Sequence, residues 1–238
     1  QWYGALMEGR GDLALDTARG AAGREKGDHE WGEYTRSLPM LTLLNLQRWD
    51  AVLKEPMPTG ERGVAAVLGH MARGIAMART GQSANARAVL ERVKAATKTL
   101  AAKQTGNGFF AKMIRSLGAT AEAQLGAEIA VAEQRMDEAL ALQAKAVESA
   151  AMVDRVEPPM LASDPRHRLG AMQFKAKRFA AAEQTFREGL ALHPRSGWAL
   201  NGLEKALSAQ GKTAAATEAQ RDLAISWVSA DGEVRAIQ

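Results

Sequence analysis

Apolar and small residues recur along this chain at helical spacing, and short polar or glycine-bearing turns interrupt them. The clearest stretch is 170–194, GAMQFKAKRFAAAEQTFREGLALHP. A first helix ends near Lys177, a second carries Ala182, Phe186 and Gly189, and Pro194 cannot continue it. Small residues at Gly170, Ala182 and Gly189 predict two antiparallel helices in close approach, with Phe179 and Phe186 filling the space between them. Gly74, Gly81, Ala86, Leu90 and Val93 repeat the same spacings, and Ala127, Gln134, Ala139, Gln143 and Ala146 repeat them more weakly.

Taken in order, Trp2 to Met7 reads as a helix end, Gly9 to Asp12 as a turn, and Leu13 to Ala22 as the partner helix, ended by Gly20, Gly23 and Gly27. His29 to Leu46 is the next helix, with Pro39 marking a true start or a kink. After Gln47–Asp50 a short helix opens at Ala51 and is stopped by Pro56 and Pro58. Further helices are expected over 61–79, from after Gly81-Gln82-Ser83 to about Lys103, and from Met136, with a last pair at 196–210 and 213–228 around Gly211. Phe109 and Phe110 are expected in the core, and Trp227 with Ile225 and Val228 as a cap on the last repeat.

Equivalent positions fall at Val52, Ala86, Ala139, Ala182 and Ala216, at intervals of 34, 53, 43 and 34 residues. This recurrence resembles the tetratricopeptide repeat, a helix–turn–helix unit of about 34 residues that stacks into a solenoid. The expected fold is all-α, a right-handed α-solenoid of about ten to twelve helices in five to six pairs, forming one repeat domain over 1–238 with no sheet. A closer resemblance rests on Arg48 to Leu53, His70-x-x-Arg73-Gly74, Glu157-Pro158-Pro159, Arg166-x-x-Leu169-Gly170, Pro194 and Gly197-Trp198-Ala199-Leu200-x-Gly202-Leu203. These runs are similar to the C-terminal half of a group of bacterial tetratricopeptide-repeat proteins. That group carries further N-terminal repeats, which this chain is expected to lack. It also carries aromatics where Met160, Leu161, Ala162 and Ser163 stand here.

Composition adds little to that picture. A net charge of +4 sets 31 basic against 27 acidic residues, an ordinary solvated surface rather than a nucleic-acid footprint. The basic run Arg87, Arg92, Lys94, Lys98, Lys103, Lys112, Arg115 reads as an outer helix face, with no aromatics interleaved for base stacking. There is no cysteine, which suits either a bacterial cytoplasm or a periplasm, and no apolar run approaches the ~20 residues of a membrane span.

The expected chemistry is binding rather than catalysis. His29, His70, His167 and His193 show no metal-ligand spacing, and no activated nucleophile or phosphate-cradling loop is present, so no cofactor and no enzyme activity are expected. The alternative is a metal-assisted hydrolase built from His70 and Glu157, with Arg166 converging on them; a regulatory module of a longer chain is the third reading. In the tetratricopeptide class the first helix of each pair lines the concave groove. That places partner-facing residues at Met71, Ile75 and Arg79, at Gln124 and Glu128, and at His167, Phe174 and Lys175. The expected ligand is a protein or peptide segment anchored near Met71 and Phe174 and oriented by Arg79 and Lys175.

Overall fold

The computed structural model describes residues 1–104, 106–156 and 159–237. Among them are thirteen α-helices and no strand: α1 (Trp2–Met7), α2 (Gly11–Arg24), α3 (Glu30–Asn45), α4 (Trp49–Lys54), α5 (Val64–Arg79), α6 (Ser83–Lys103), α7 (Phe109–Ala132), α8 (Met136–Ala150), α9 (Pro165–Lys175), α10 (Phe179–Leu192), α11 (Gly197–Ala209), α12 (Thr213–Ser226) and α13 (Gly232–Ala236). The fold is all-α, and consecutive helices pack on each other from α3 to α8 and from α9 to α12. The count exceeds the expected range by one, because the short α13 carried no periodic signal.

Six connections share one geometry. A residue with left-handed backbone stands at Gly9, Gln47, Gly81, Gln134, Lys177 and Gly211. One residue later, the N–H of Arg10, Arg48, Gln82, Arg135, Arg178 or Lys212 reaches back to the carbonyl of Ala5, Leu43, Met77, Ala130, Gln173 or Leu207, at 2.8–3.1 Å. This is a Schellman-type helix end, which satisfies a carbonyl the helix itself leaves orphaned. Each of those six residues then starts the next helix by accepting from Ala14, Val52, Ala86, Ala139, Ala182 or Ala216. All six of these donors are buried. Five are the recurring positions read from the sequence; Ala14 is a sixth.

Two compact units are distinguishable, a central one (Leu15–Ser163) and a terminal one (Gln1–Ala14 with Asp164–Gln238). In the central unit, the fully buried Glu33 of α3 accepts from the backbone N–H of Gly63 (2.9 Å), Ala65 (3.0 Å) and Arg62. A carboxylate borrowed from a neighbouring helix thus caps α5, whose own N-cap residue is a glycine. Gly60 permits this approach, since a side chain there would collide with the Glu33 carboxyl. Beyond α8, a short 3-10 turn (Val153–Arg155) packs on α7 and α8. Met160, Leu161 and Ala162 follow and are buried, while Tyr34 Oη donates to the Pro159 carbonyl at 3.0 Å. These non-aromatic side chains are themselves core.

In the terminal unit, Phe186 is wedged between two glycines: a Cβ on Gly170 would stand 2.5 Å from its ring, and one on Gly202 would stand 2.2 Å from it. Trp227 lies over Gly197, meets Trp198 edge-on at 5.1 Å, and donates to the Met7 carbonyl, as Trp198 does to that of Leu6. The Gly-Trp-Ala-Leu-x-Gly-Leu run thus leaves space for Trp227 and for Phe186 and buries Ala199, Leu200 and Leu203.

Several expectations need correction. Gly20 and Gly23 lie inside α2, and Pro39 lies inside α3, which begins at Glu30 behind the His29 cap. Phe109 and Phe110 are exposed on the first turn of α7 rather than core. Trp227 is buried, but Ile225 and Val228 are 66% and 77% exposed, so the cap is the indole alone.

Candidate functional site

The expected groove residues divide by what surrounds them. Met71 and Ile75 are fully buried in the central unit, so they are core and expose nothing for a ligand to touch. Arg79, Gln124 and Glu128 come together differently from expectation. Glu128 is wholly buried, and Arg79 grips it with Nε at 2.6 Å and Nη2 at 3.0 Å. The guanidinium also stacks over Trp49, 5.6 Å from the ring centroid. This paired fork joins α5 to α7, so Arg79 is committed within the fold. Gln124, one helical turn before Glu128, is buried too.

In the terminal unit, Phe174 packs against Phe179 with ring centroids 5.3 Å apart, and Lys175 is exposed. His167 Nε2 lies 3.4 Å from Ser196 Oγ, linking the start of α9 to the start of α11. Burial pushes the His167 imidazole down to about 4, against an opposing pull from Asp164, and His193, Arg166 and Arg168 lower it further. Asp164 caps α9 through the Arg166 N–H, and Arg166 folds back onto the same carboxylate at 3.1 Å. His70 titrates below its ordinary range because it is partly buried and faces Arg92 and Arg73. Glu157, required for the hydrolase reading, lies outside the described residues. Among the described residues no three His, Asp or Glu side chains are placed to hold a metal ion.

An opening in the central unit lies elsewhere. A groove of about 700 Å³ runs between the second helices α6 and α8, with α7 as its floor. Its floor is apolar and shallow in side chain: Ala119, Ala123, Gly126 and Ile129 follow one face of α7 at helical spacing. Leu90 and Leu142 wall it, and its ends carry charges. Arg87 of α6 reaches Glu133, the last-turn residue of α7, at 2.6 Å; Glu133 in turn holds Arg135, which also binds Glu138. Those two arginines, Arg87 first, hold the Glu133 carboxyl below its usual range. Sequence reading missed this groove because it looked for exposed residues on first helices. The signal was there in α7, whose Ala, Ala, Gly stripe is too small to fill the gap between its neighbours.

No protein-family model, curated protein or solved structure matches the chain.

Proposed function

We propose that the chain is a helical-repeat interaction module of tetratricopeptide type that holds a helical segment of a partner protein in the groove between α6 and α8. The observation that carries this reading is the trough itself, about 700 Å³, apolar along its floor and charged along its rim. Such a trough matches an amphipathic helix presenting anchors at i, i+3, i+4 and i+7. The rim charges of both signs, Arg87, Glu91, Lys94, Glu122, Arg135, Glu138 and Lys145, would set register and orientation. The repeat assignment is supported by the shared turn geometry of the six connections.

A photo-crosslinking side chain placed at Ala119 tests the reading directly. Crosslinked partner peptides should carry the helical apolar spacing, and Ala123→Leu with Gly126→Leu should abolish crosslinking while the helical spectrum is retained. A probe at Lys175 serves as comparator. Crosslinks at Lys175 that survive the floor substitutions, with none at Ala119, would move the site to the first helices and end the groove proposal.

A further inference from the structure

Away from the groove, the central unit holds two arginines and a histidine with which no carboxylate pairs among the described residues. His70 and Arg73 stand one turn apart on α5, and Arg92 stands on α6. The hairpin register brings them together. Gly74 sits against Val89, where an added Cβ would be 3.0 Å from Val89 Cγ1. His70 lies one turn before Gly74 and Arg92 one turn after Val89, so in antiparallel helices both fall one turn further from the connection, on facing surfaces. The segment Glu55–Pro58 forms another wall. Arg73 Nη2 donates to the Glu55 carbonyl at 2.6 Å, and Met57 and Pro58 lie against Gly69.

Arg73 Nε is buried and has no hydrogen-bond partner. Leaving a guanidinium N–H buried and unanswered is costly unless something else supplies an acceptor. The nearby acids are committed: the Glu55 carboxylate binds Arg19 at 2.7 Å, and Glu91 binds Lys94 at 2.7 Å. Among the described residues no carboxylate pairs with His70, Arg73 or Arg92. His70 responds to the surplus, being lowered first by burial, then by Arg92 and Arg73.

We propose that His70, Arg73 and Arg92 form a binding site for a phosphate group. Arg73 Nε–H supplies a buried, unpartnered donor, Arg92 an exposed guanidinium, and His70 a donor that gains its proton as the anion arrives. A tetrahedral dianion suits three converging donors better than a monovalent carboxylate does. The proposal stands independently of the groove.

The test follows the imidazole resonances of the full chain by NMR while inorganic phosphate is titrated against chloride at matched ionic strength. Sulfate and acetate serve as tetrahedral and carboxylate comparators. Phosphate should saturate and raise the His70 midpoint by about one pH unit, leaving His29 and His193 unmoved. Sulfate should compete, and acetate should not. Arg92→Ala, on an exposed side chain, should weaken phosphate binding about tenfold. Arg73→Lys keeps the charge but removes the Nε donor and should weaken it as much; if that variant fails to fold, Arg92→Ala alone carries the test. A response equal to that in chloride, acetate binding in place of phosphate, or unchanged affinity in Arg92→Ala would each overturn the site.

Discussion

The two units solve one packing problem with different side chains. Counting from the left-handed turn residues, Ala123 and Gly126 on α7 occupy the places that Leu200 and Leu203 occupy on α11. By the same count, Leu90 on α6 corresponds to Phe186 on α10. The central unit therefore has a floor of small residues and a modest wall, and its groove is about 700 Å³. In the terminal unit, Leu200 lies in the corresponding groove and Phe186 presses onto Gly202, leaving about 330 Å³ bounded by Leu190, Pro194, Ile225 and Ser226. The polar ties at the groove ends correspond too, with the charges exchanged. Arg87 meets Glu133 in one unit; in the other, Glu183 meets Lys212 at 2.6 Å and Gln210 at 2.9 Å. Lys212 draws the Glu183 carboxyl down to about 2, helped by Gln210 and Arg187 and opposed by desolvation. Side-chain volume on the floor helix, rather than backbone geometry, decides which groove is open.

The largest effect expected from breaking this comparison is Phe186→Ala. It removes the wedge between Gly170 and Gly202 and should cost about 3–5 kcal/mol in urea denaturation. Gly170→Leu should also destabilise, by about 1–3 kcal/mol, because its Cβ already collides with the Phe186 ring. Stability unchanged by either would mean that the wedge is not what holds the terminal unit.

The polar links between successive first helices differ as well, and pH separates them. In the terminal unit His167 is held neutral, with a folded midpoint of about 4 against the ordinary 6.5. Between those values the unfolded chain binds the proton more readily, so stability falls as pH drops through 6.5 toward 4. The loss should reach at most ~3 kcal/mol and should vanish in His167→Gln. Hydrogen exchange resolved along the chain should show faster opening of α9 and α11 at pH 5 than at pH 7, with the histidine-dependent part confined to that unit.

The central unit uses the Arg79–Glu128 fork, toward the C-terminal ends of α5 and α7 rather than at their starts. Arg79→Ala leaves Glu128 buried without its guanidinium and should cost about 2 kcal/mol, less than a fully buried pair because the Arg79 side chain is 32% exposed. Thermal denaturation of Arg79→Ala, Glu128→Gln and the double variant would give the coupling; additivity of the two single effects would show that the fork contributes nothing. The smallest effect sharpens the contrast in floors. A Cβ at Gly126 meets only Leu142, at 3.4 Å, so Gly126→Ala should stabilise α7 by about 0.5–1 kcal/mol and barely narrow the groove. A loss of stability would show that Leu142 cannot give way.

Much of the architecture was legible in the residues. Helical spacing of small and apolar residues located the α5/α6, α7/α8, α9/α10 and α11/α12 pairs, because a helix must bury one stripe and the stripe is local in sequence. The same reasoning placed Phe186 against Gly170 and found the recurring buried position of every second helix from Val52 to Ala216. Turn residues were less legible: Gln47, Gln134 and Lys177 adopt left-handed backbone that glycine would have announced. The candidate site was the least legible. Met71 and Ile75 belong to the first-helix stripe in either reading, and only packing decided that neighbouring helices bury them. Glu33 as the cap of α5, Arg79 as the partner of Glu128, and the opening above Ala123 and Gly126 each depend on residues far apart in the chain. Local periodicity sets which face of a helix turns inward; what meets that face, and where a gap is left, is set by the volumes and charges that tertiary packing brings against it.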